Sequence, residues 1–281
     1  MPDLVVVGSF MMDLVARTPS LPKPGETVIG ESFAQFLGGK GFNQAVAAAR
    51  SGGNVAMVGC VGSDAFGREF LDALDREGID RSGVVVDASE GTGVGLPVVE
   101  SSGQNAIVVI PRANHALQHV DAELFAGAKV VLLQWELTAR VTVEAARLAK
   151  DAGAIVVLNP APAVGDLRDY EGLLDVLVPN ETEAAILGDL PDIDIVLTLG
   201  EKGALVRSGG REERYEPHDV ECVDTVGAGD AFCGALCASL ASGASLFDAA
   251  RIGNAAGALA VTKAGAEPSM PHLVDIDKML R

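Results

Sequence analysis

Aromatic residues make up only 4% of this chain of 281 residues, so large rings cannot be what fills its core. Ala, Val and Leu must do that, in closely packed layers. The four cysteines, Cys60, Cys222, Cys233 and Cys237, form no C-x-x-C pair, and a chain this long is not stapled by so few thiols. They read as buried, reduced, small apolar residues. Cys233 and Cys237 are spaced to share a helix face and His218 lies near Cys222, but these groups are too scattered for a zinc site. Basic charge is also scarce: 21 Lys and Arg stand against 39 Asp and Glu, a net charge of −18, which repels a phosphate backbone. Nucleic acid is excluded as an expected partner. No apolar run approaches the roughly 18 residues of a membrane helix. The first sixteen positions carry no Lys or Arg that could start a signal peptide, so a cytoplasmic location is expected.

What the chain does contain is glycine, 33 residues of it, between short apolar runs. Leu4 to Val7, closed by Gly8, is too short for a helix and rich in β-branched residues, which predicts a buried strand. Similar runs occur at Val55 to Val58, Val130 to Leu133, Ile155 to Leu158, Val176 to Val178 and Ile195 to Leu199. Helical patterns such as Val141, Ala145 and Leu148 separate most of them. The alternation predicts an α/β fold with a mostly parallel sheet covered by helices on both faces. Thr27 to Phe36, and Gly93 to Ile110 with its Ser101-Ser102-Gly103 turn, break the rhythm and read as exposed antiparallel strands projecting from the body. Two packed helices are expected from Ala231 to Leu240 and from Leu246 to Thr262. With no repeat or linker, residues 1–281 form one domain.

Three motifs carry candidate chemistry. Gly38-Gly39-Lys40-Gly41-Phe42-Asn43 is a glycine turn before an Ala-rich helix; it lacks the Ser or Thr of a Walker A loop, but its Lys and Asn offer donors to hydroxyls or phosphate. In isolation it reads as a plain glycine-rich turn with a surface Lys. Gly227-Ala228-Gly229-Asp230 leads directly into a helix, whose first N–H groups lack internal partners and form an anion site. Asp230 there is either a helix cap or a base beside a cradle for phosphoryl oxygens, the two halves of a phosphoryl transfer. Asn180-Glu181-Thr182-Glu183 has the form of a capping box. Its functional alternative puts Asn180 near triphosphate oxygens and Glu183 on a hydrated Mg²⁺. No G-x-G-x-x-G follows the first strand, which disfavours an NAD-dependent oxidoreductase.

In order and spacing these motifs together resemble the ribokinase-like family of sugar kinases, along nearly the whole chain. The matching positions are Gly8-Ser9 and Asp13, Pro24 to Thr27, GGKG-x-N-Q-A at 38–45, Gln134 and Glu136, Asn159 to Pro162, Asn180 to Glu183, Thr198 to Gly200, Asp224 to Asp230, and AVTKAGAEPSMP at 260–271. Within the family they are most similar to ribokinases. The resemblance implies a Rossmann-like body with a β-sheet lid formed by about 14–37 and 93–111, and a homodimer through the lids. It implies that Met11, Asp13, Gly39, Lys40, Asn43 and Glu136 bind the sugar, with Asp230 as catalytic base and Gly227, Ala228 and Gly229 in the anion hole. Asn180, Thr198, Gly200, Glu201, Lys202, Gly203, Gly229 and Asn254 would serve ATP. Asp224, Val226, Ala260, Lys263, Gly265 and Ser269 match a monovalent-cation site for K⁺, to which Lys263 can offer only its carbonyl, and Glu183 would reach Mg²⁺ through water.

The implied activity is ATP-dependent phosphorylation of the 5-hydroxyl of D-ribose. Alternatives are 2-deoxyribose, a nucleoside or fructose as acceptor, or a sensor of sugar or nucleotide without turnover. Met11 stands where some ribokinases carry Asn and deoxyribokinases show Met, which points toward 2-deoxyribose; an apolar contact rejects an added hydroxyl only about 100-fold. Arg112 replaces a small residue at the lid's return and reads as a surface charge. Only Gly188 to Asp194 lies between the Asn180 helix and the strand at Ile195, where the family usually has another helix. The fifteen residues 180–194 still suffice for a parallel crossover of a dozen or more. Apolar strand residues there are expected to be less covered, or covered by a neighbouring subunit.

Overall fold

The computed structural model describes residues 1–102 and 104–281. Its first strand, β1 (Leu4–Val7), is followed by two lid strands, β2 (Met11–Thr18) and β3 (Ser32–Gly38), and by helix α1 (Lys40–Arg50). Then come β4 (Val55–Gly62), α2 (Ala65–Arg76), β5 (Asp80–Asp87), the lid strands β6 (Gly93–Glu100) and β7 (Asn105–Ile110), and the short α3 (Ala113–Ala116). The second half alternates β8 (Val130–Gln134), α4 (Ala139–Asp151), β9 (Ile155–Asn159), β10 (Val176–Leu177), α5 (Glu181–Leu187) and β11 (Asp194–Thr198). A hairpin of β12 (Ala204–Ser208) and β13 (Arg211–Tyr215) precedes α6 (Ala228–Ala241), α7 (Leu246–Ala260) and α8 (Leu273–Met279).

Nine strands form the main sheet in the order β13-β12-β11-β10-β9-β8-β1-β4-β5, and β3-β2-β6-β7 form the lid. The main sheet is parallel from β5 to β11 and turns antiparallel only at the β12–β13 hairpin. Burial along β1 alternates: Leu4 and Val6 enter one hydrophobic cluster, Val5 and Val7 the other. That period of two is how a single strand serves two covered faces. Helices α1, α2, α6, α7 and α8 pack on the first face, and α3 and α4 on the second.

Small residues set the closest approach. A Cβ on Gly234 of α6 would lie 2.5 Å from the carbonyl of Gln44 and 2.6 Å from the Ala47 Cβ, so α1 and α6 touch backbone to backbone. Three of the twelve aromatics meet where α1 and α2 reach the lid root: Phe10 and Phe42 both stack edge-on to Phe70, at 5.2 and 4.9 Å between ring centres. Each such pair contributes about 0.5–1.5 kcal/mol beyond its area burial. From β1 the chain runs outward to β4 and β5, then returns to β8 on the other side of β1. In open α/β sheets the crevice at such a reversal, at the carboxyl ends of the strands, is where ligands bind.

The structure departs from the sequence reading in several places. β5 and the β12–β13 hairpin were not anticipated; β5 is an edge strand with exposed Val85 and Val86 and has no fully buried face to give a clear pattern. The lid begins at Met11 rather than near 14, and its second strand starts at Ser32, the stretch from Thr27 being irregular. Of the turn expected at Ser101-Ser102-Gly103, Gly103 lies outside the described residues. Cys222 is exposed, whereas Cys60, Cys233 and Cys237 are buried as expected. The expected bare strand beside the shortened crossover is not found: Ile195 and Val196 are 3% and 0% exposed. Leu187 and Leu190 cover the cluster that Ile195 joins, while Ile186 on the short α5 is 64% exposed. The short crossover instead borders a groove of about 470 Å³ between Pro191–Ile195 and Arg207–Glu212.

Candidate active site

The site is built at the chain reversal between β1 and β8. Just beyond β1, the hydroxyl of Ser9 donates to Glu136 Oε2, just beyond β8. The same oxygen accepts the N–H of Lys40 at 2.8 Å, so Glu136 holds the start of α1 as a charged cap. Gly39 has φ +91°, and a Cβ there would stand 2.8 Å from the Met11 nitrogen; only glycine lets the turn press this closely on the lid root. Asn114, fully buried, fixes that root by accepting the Phe10 N–H at 2.9 Å and donating to its carbonyl at 2.8 Å.

Met11 and Asp13 are two apart on β2 and share a face. Asp13 lies between Gly38 and Gly95, whose absent side chains make its room: a Cβ on either would come within 2.4 or 2.2 Å of its carboxylate oxygens. That carboxylate accepts no hydrogen bond from the described residues. Burial, and secondarily the charge of Glu136, raises its pKa to about 6.

Asp230 is the third residue of α6 and does not cap it; Gly227, in the left-handed conformation at φ +80°, is the cap residue. The Asp230 carboxylate, 7% exposed, turns instead to α1, accepting Asn43 Nδ2 at 3.0 Å and Gln44 Nε2 at 2.9 Å. Asn43 Oδ1 is buried without a partner. The N–H groups of Gly229 and Asp230 find no backbone acceptor among the described residues, and space is open where a Gly229 Cβ would stand. The unpaired amides beside Ala228 therefore face a free volume next to a carboxylate. Burial tends to lower the pKa of Lys40, but the carboxylates of Asp230, Glu136 and Glu183 outweigh it and raise the value. The same field brings Glu183 into the group. Its pKa is raised by burial and by Asp230, against the lowering effects of the Asn180 amide and Lys40.

Asn180 and Glu183 do form the reciprocal capping box, at 2.8 and 2.9 Å, so the cap and the site position coexist. Thr198 forms a parallel bridge with Asn180, and Lys202 pairs with Glu181 at 3.2 Å, which seats the loop of Thr198, Gly200, Glu201, Lys202 and Gly203 beside α5. Gly203, at φ +85°, abuts Tyr215 and Glu216, and Asn254 donates to the Glu216 carbonyl at 2.9 Å. These residues form one continuous wall. At the remaining side Asp224 accepts the N–H of Val226 at 3.0 Å and of Gly265 at 2.9 Å, while Val223 and Asp224 both donate to Val261. The Asp224 loop is thus locked to the segment containing Ala260, Lys263, Gly265 and Ser269. Lys263 is exposed, and the Ser269 hydroxyl donates to Ala266. Arg112, the one described non-glycine residue with positive φ, reaches the Thr92 carbonyl from the surface.

Residues 1–273 match the pfkB family of carbohydrate kinases. The chain belongs to that family. Ribokinase from Haemophilus influenzae is 37% identical to this carbohydrate kinase, over 95% of each chain. A deoxyribokinase from Salmonella typhi is 33% identical, with 99% of this chain and 98% of that one covered. The structure of Arabidopsis thaliana ribokinase complexed with ribose and ATP superposes with a TM-score of 0.93 at 30% identity, covering 100% and 99% of the two chains. The sequence reading named Ser9, Gln44, Gln134 and Asn159 among the matching positions but gave none of them a role, and it gave none to Asn114. A lone Gln on an Ala-rich helix was the available signal for Gln44; Ser9 carried none, because its partner lies 127 residues away.

Proposed function

We propose that this carbohydrate kinase transfers the γ-phosphoryl group of ATP to the 5-hydroxyl of D-ribose, giving D-ribose 5-phosphate and ADP. The observation that carries the reading is the buried Asp230 carboxylate, held by side chains of the glycine turn beside unpaired amides of α6. Asp13, Lys40, Asn43 and Glu136, with Gly39 giving room, would engage the sugar hydroxyls. Asp230 accepts the proton of the attacking hydroxyl, and the unpaired amides of Gly229 and Asp230, next to Gly227 and Ala228, stabilise charge on the phosphoryl oxygens. Lys40 adds a cation between donor and acceptor. The wall from Asn180 through Thr198–Gly203 to Asn254 would receive the nucleotide. Asp13 stands on a lid strand, so closing the lid over the sugar removes water that would otherwise compete as acceptor.

Two ions fit the donor sets. Glu183 is a single half-buried carboxylate near the nucleotide wall, as suits Mg²⁺ that keeps its waters and phosphate ligands; the ion would neutralise phosphate charge there. Asp224, held to the Val226 and Gly265 amides, would join the carbonyls of Val226, Ala260, Lys263, Gly265 and Ser269 in an all-oxygen set with one formal charge, as suits K⁺. Its charge would add to the positive end of α6. Exposed Ile107, Val108, Val109 and Ile110 on β7 and Phe33 on β3 support association of two lids into a homodimer. Among the described residues no helix is long and apolar enough to cross a membrane.

A second reading, 2-deoxyribose as acceptor, is favoured by Met11, which is 4% exposed and shares the Asp13 face where a polar side chain would meet a hydroxyl. Side-by-side kinetics of ribose, 2-deoxyribose, fructose and nucleosides with ATP, Mg²⁺ and K⁺ test both. The expected result is the highest kcat/KM for ribose, with phosphorus on O5 by NMR. A preference for 2-deoxyribose installs the second reading, and no turnover of any acceptor leaves a sensor.

A further inference from the structure

Gln44 is fully buried on an otherwise Ala-rich helix face, a costly place for an amide unless every polar atom is matched. It is matched by a directed chain. Gln44 Nε2 donates to Asp230 Oδ1 at 2.9 Å and to Asn159 Oδ1 at 3.0 Å, and Gln44 Oε1 accepts Gln134 Nε2 at 2.7 Å. Asn159 in turn donates to the carbonyl of Val178 at 2.8 Å. The direction is forced from its ends, since a carboxylate and a carbonyl only accept. Asp230 orients the Gln44 amide, and the Val178 carbonyl orients Asn159. Gln134, Asn159 and Val178 lie at the carboxyl ends of β8, β9 and β10, so the rigid sheet itself anchors the chain. Beyond Gln134, its Oε1 has no partner and would stand 2.1 Å from a Cβ on Gly8; that glycine leaves the room in which the amide keeps its orientation.

We propose that Gln44 is the positioning residue for the catalytic base, transmitting the fixed geometry of the sheet edge to the Asp230 carboxylate. The inference rests on the proposed role of Asp230. Of the two side chains bonded to that carboxylate, Asn43 faces the sugar turn and is free to exchange its bond for one to substrate, whereas Gln44 is committed on both sides. Gln44 thus holds Oδ1 through the catalytic cycle and leaves Oδ2 as the oxygen that takes the proton. Titratable groups that face Asp230 from the packed elements are Lys40 on α1, Glu183 on α5 and Cys233 on its own helix, with Glu136 beside Lys40.

The test is Gln44→Met, which keeps the volume and removes the donors, with kcat and sugar KM measured across pH and melting followed in parallel. The expected result is a kcat about 10- to 100-fold lower, the factor a hydrogen bond to a charged group is worth. Sugar KM should stay within about threefold, a split between kcat and KM that a merely structural role would not produce. Should Gln44→Met not fold, Gln134→Met removes the anchor one bond further out, and a smaller fall in kcat with the same KM is expected. A kcat within twofold of wild type, or a fall in kcat that tracks melting and comes with a matching rise in sugar KM, overturns the inference. Asp230→Asn separates the two claims: loss of turnover there with an unaffected Gln44→Met removes only the role of Gln44, whereas retained turnover removes the base itself.

Discussion

The Ser9 hydroxyl and the Glu136 carboxylate, 127 residues apart, close the gap between β1 and β8 and leave the second Glu136 oxygen for a ligand. Ser9→Ala removes the donor without removing the carboxylate. Sugar KM should rise about three- to tenfold while kcat changes little, as expected when a hydrogen bond that only orients a binding group is lost. Steady-state kinetics with the sugar varied at saturating ATP check this; an unchanged KM would mean that the Lys40 amide alone orients Glu136.

Asp13 has a raised pKa of about 6, so its charged form is lost as pH falls through that value. Only the carboxylate can accept hydrogen bonds from two sugar hydroxyls. Sugar KM is therefore expected to climb about tenfold per pH unit below that pKa, and Asp13→Asn should flatten the dependence while raising KM at neutral pH. A KM profile flat from pH 5 to pH 8 in the wild type, a range of about one unit below to two above, would contradict the assignment.

Gly227 is the hinge that turns the backbone into α6. At φ +80° an added Cβ would also approach the Ala266 Cα to 3.0 Å. Gly227→Ala should cost about 1–2 kcal/mol of stability from the left-handed conformation. It should also lower kcat at least tenfold, since the amides beside Asp230 shift; thermal melting and kcat report the two effects separately. Full activity in the variant would place the anion cradle elsewhere.

Arg50, at the far end of α1 from Lys40, bonds Glu77 at 2.7 Å, pairs with Glu267, and donates to the carbonyls of Glu267 and Met270 at 2.8 and 3.3 Å. It clamps the turn that carries Ser269 to α1. Arg50→Leu leaves two half-buried carboxylates facing each other and is expected to destabilise the fold by about 3 kcal/mol. The K⁺ concentration needed for half-activation should rise as well, measured by titrating KCl into a K⁺-free assay. A variant with wild-type K⁺ response would uncouple this clamp from the proposed K⁺ site.

Much of this architecture is written locally. The run Leu4 to Val7 is a strand because four apolar, mostly β-branched residues cannot make a helix, and the glycines at 39 and 227 announce tight turns wherever they are placed. Burial of Asp230 was not legible. Its N-terminal helix position suits a surface cap equally well, and only the packing of α1 on α6, close enough that Gly234 admits no side chain, brings Asn43 and Gln44 to it. Coverage of Ile195 escaped the reading for a related reason: Leu187 and Leu190 fold back over the strand from a segment too short to announce a covering layer.

Amino-acid order alone dictated the alternating strands and helices, the two turns and the presence of Asp, Lys, Asn and Glu near them, because short-range sterics and hydrophobic period act within a few residues. The three-dimensional packing decided which of these groups face one another. Glu136 reaches Lys40, and Gln44 reaches Asp230, Asn159 and Gln134, through contacts spanning 90 to 186 residues, and such pairings depend on how the layers stack.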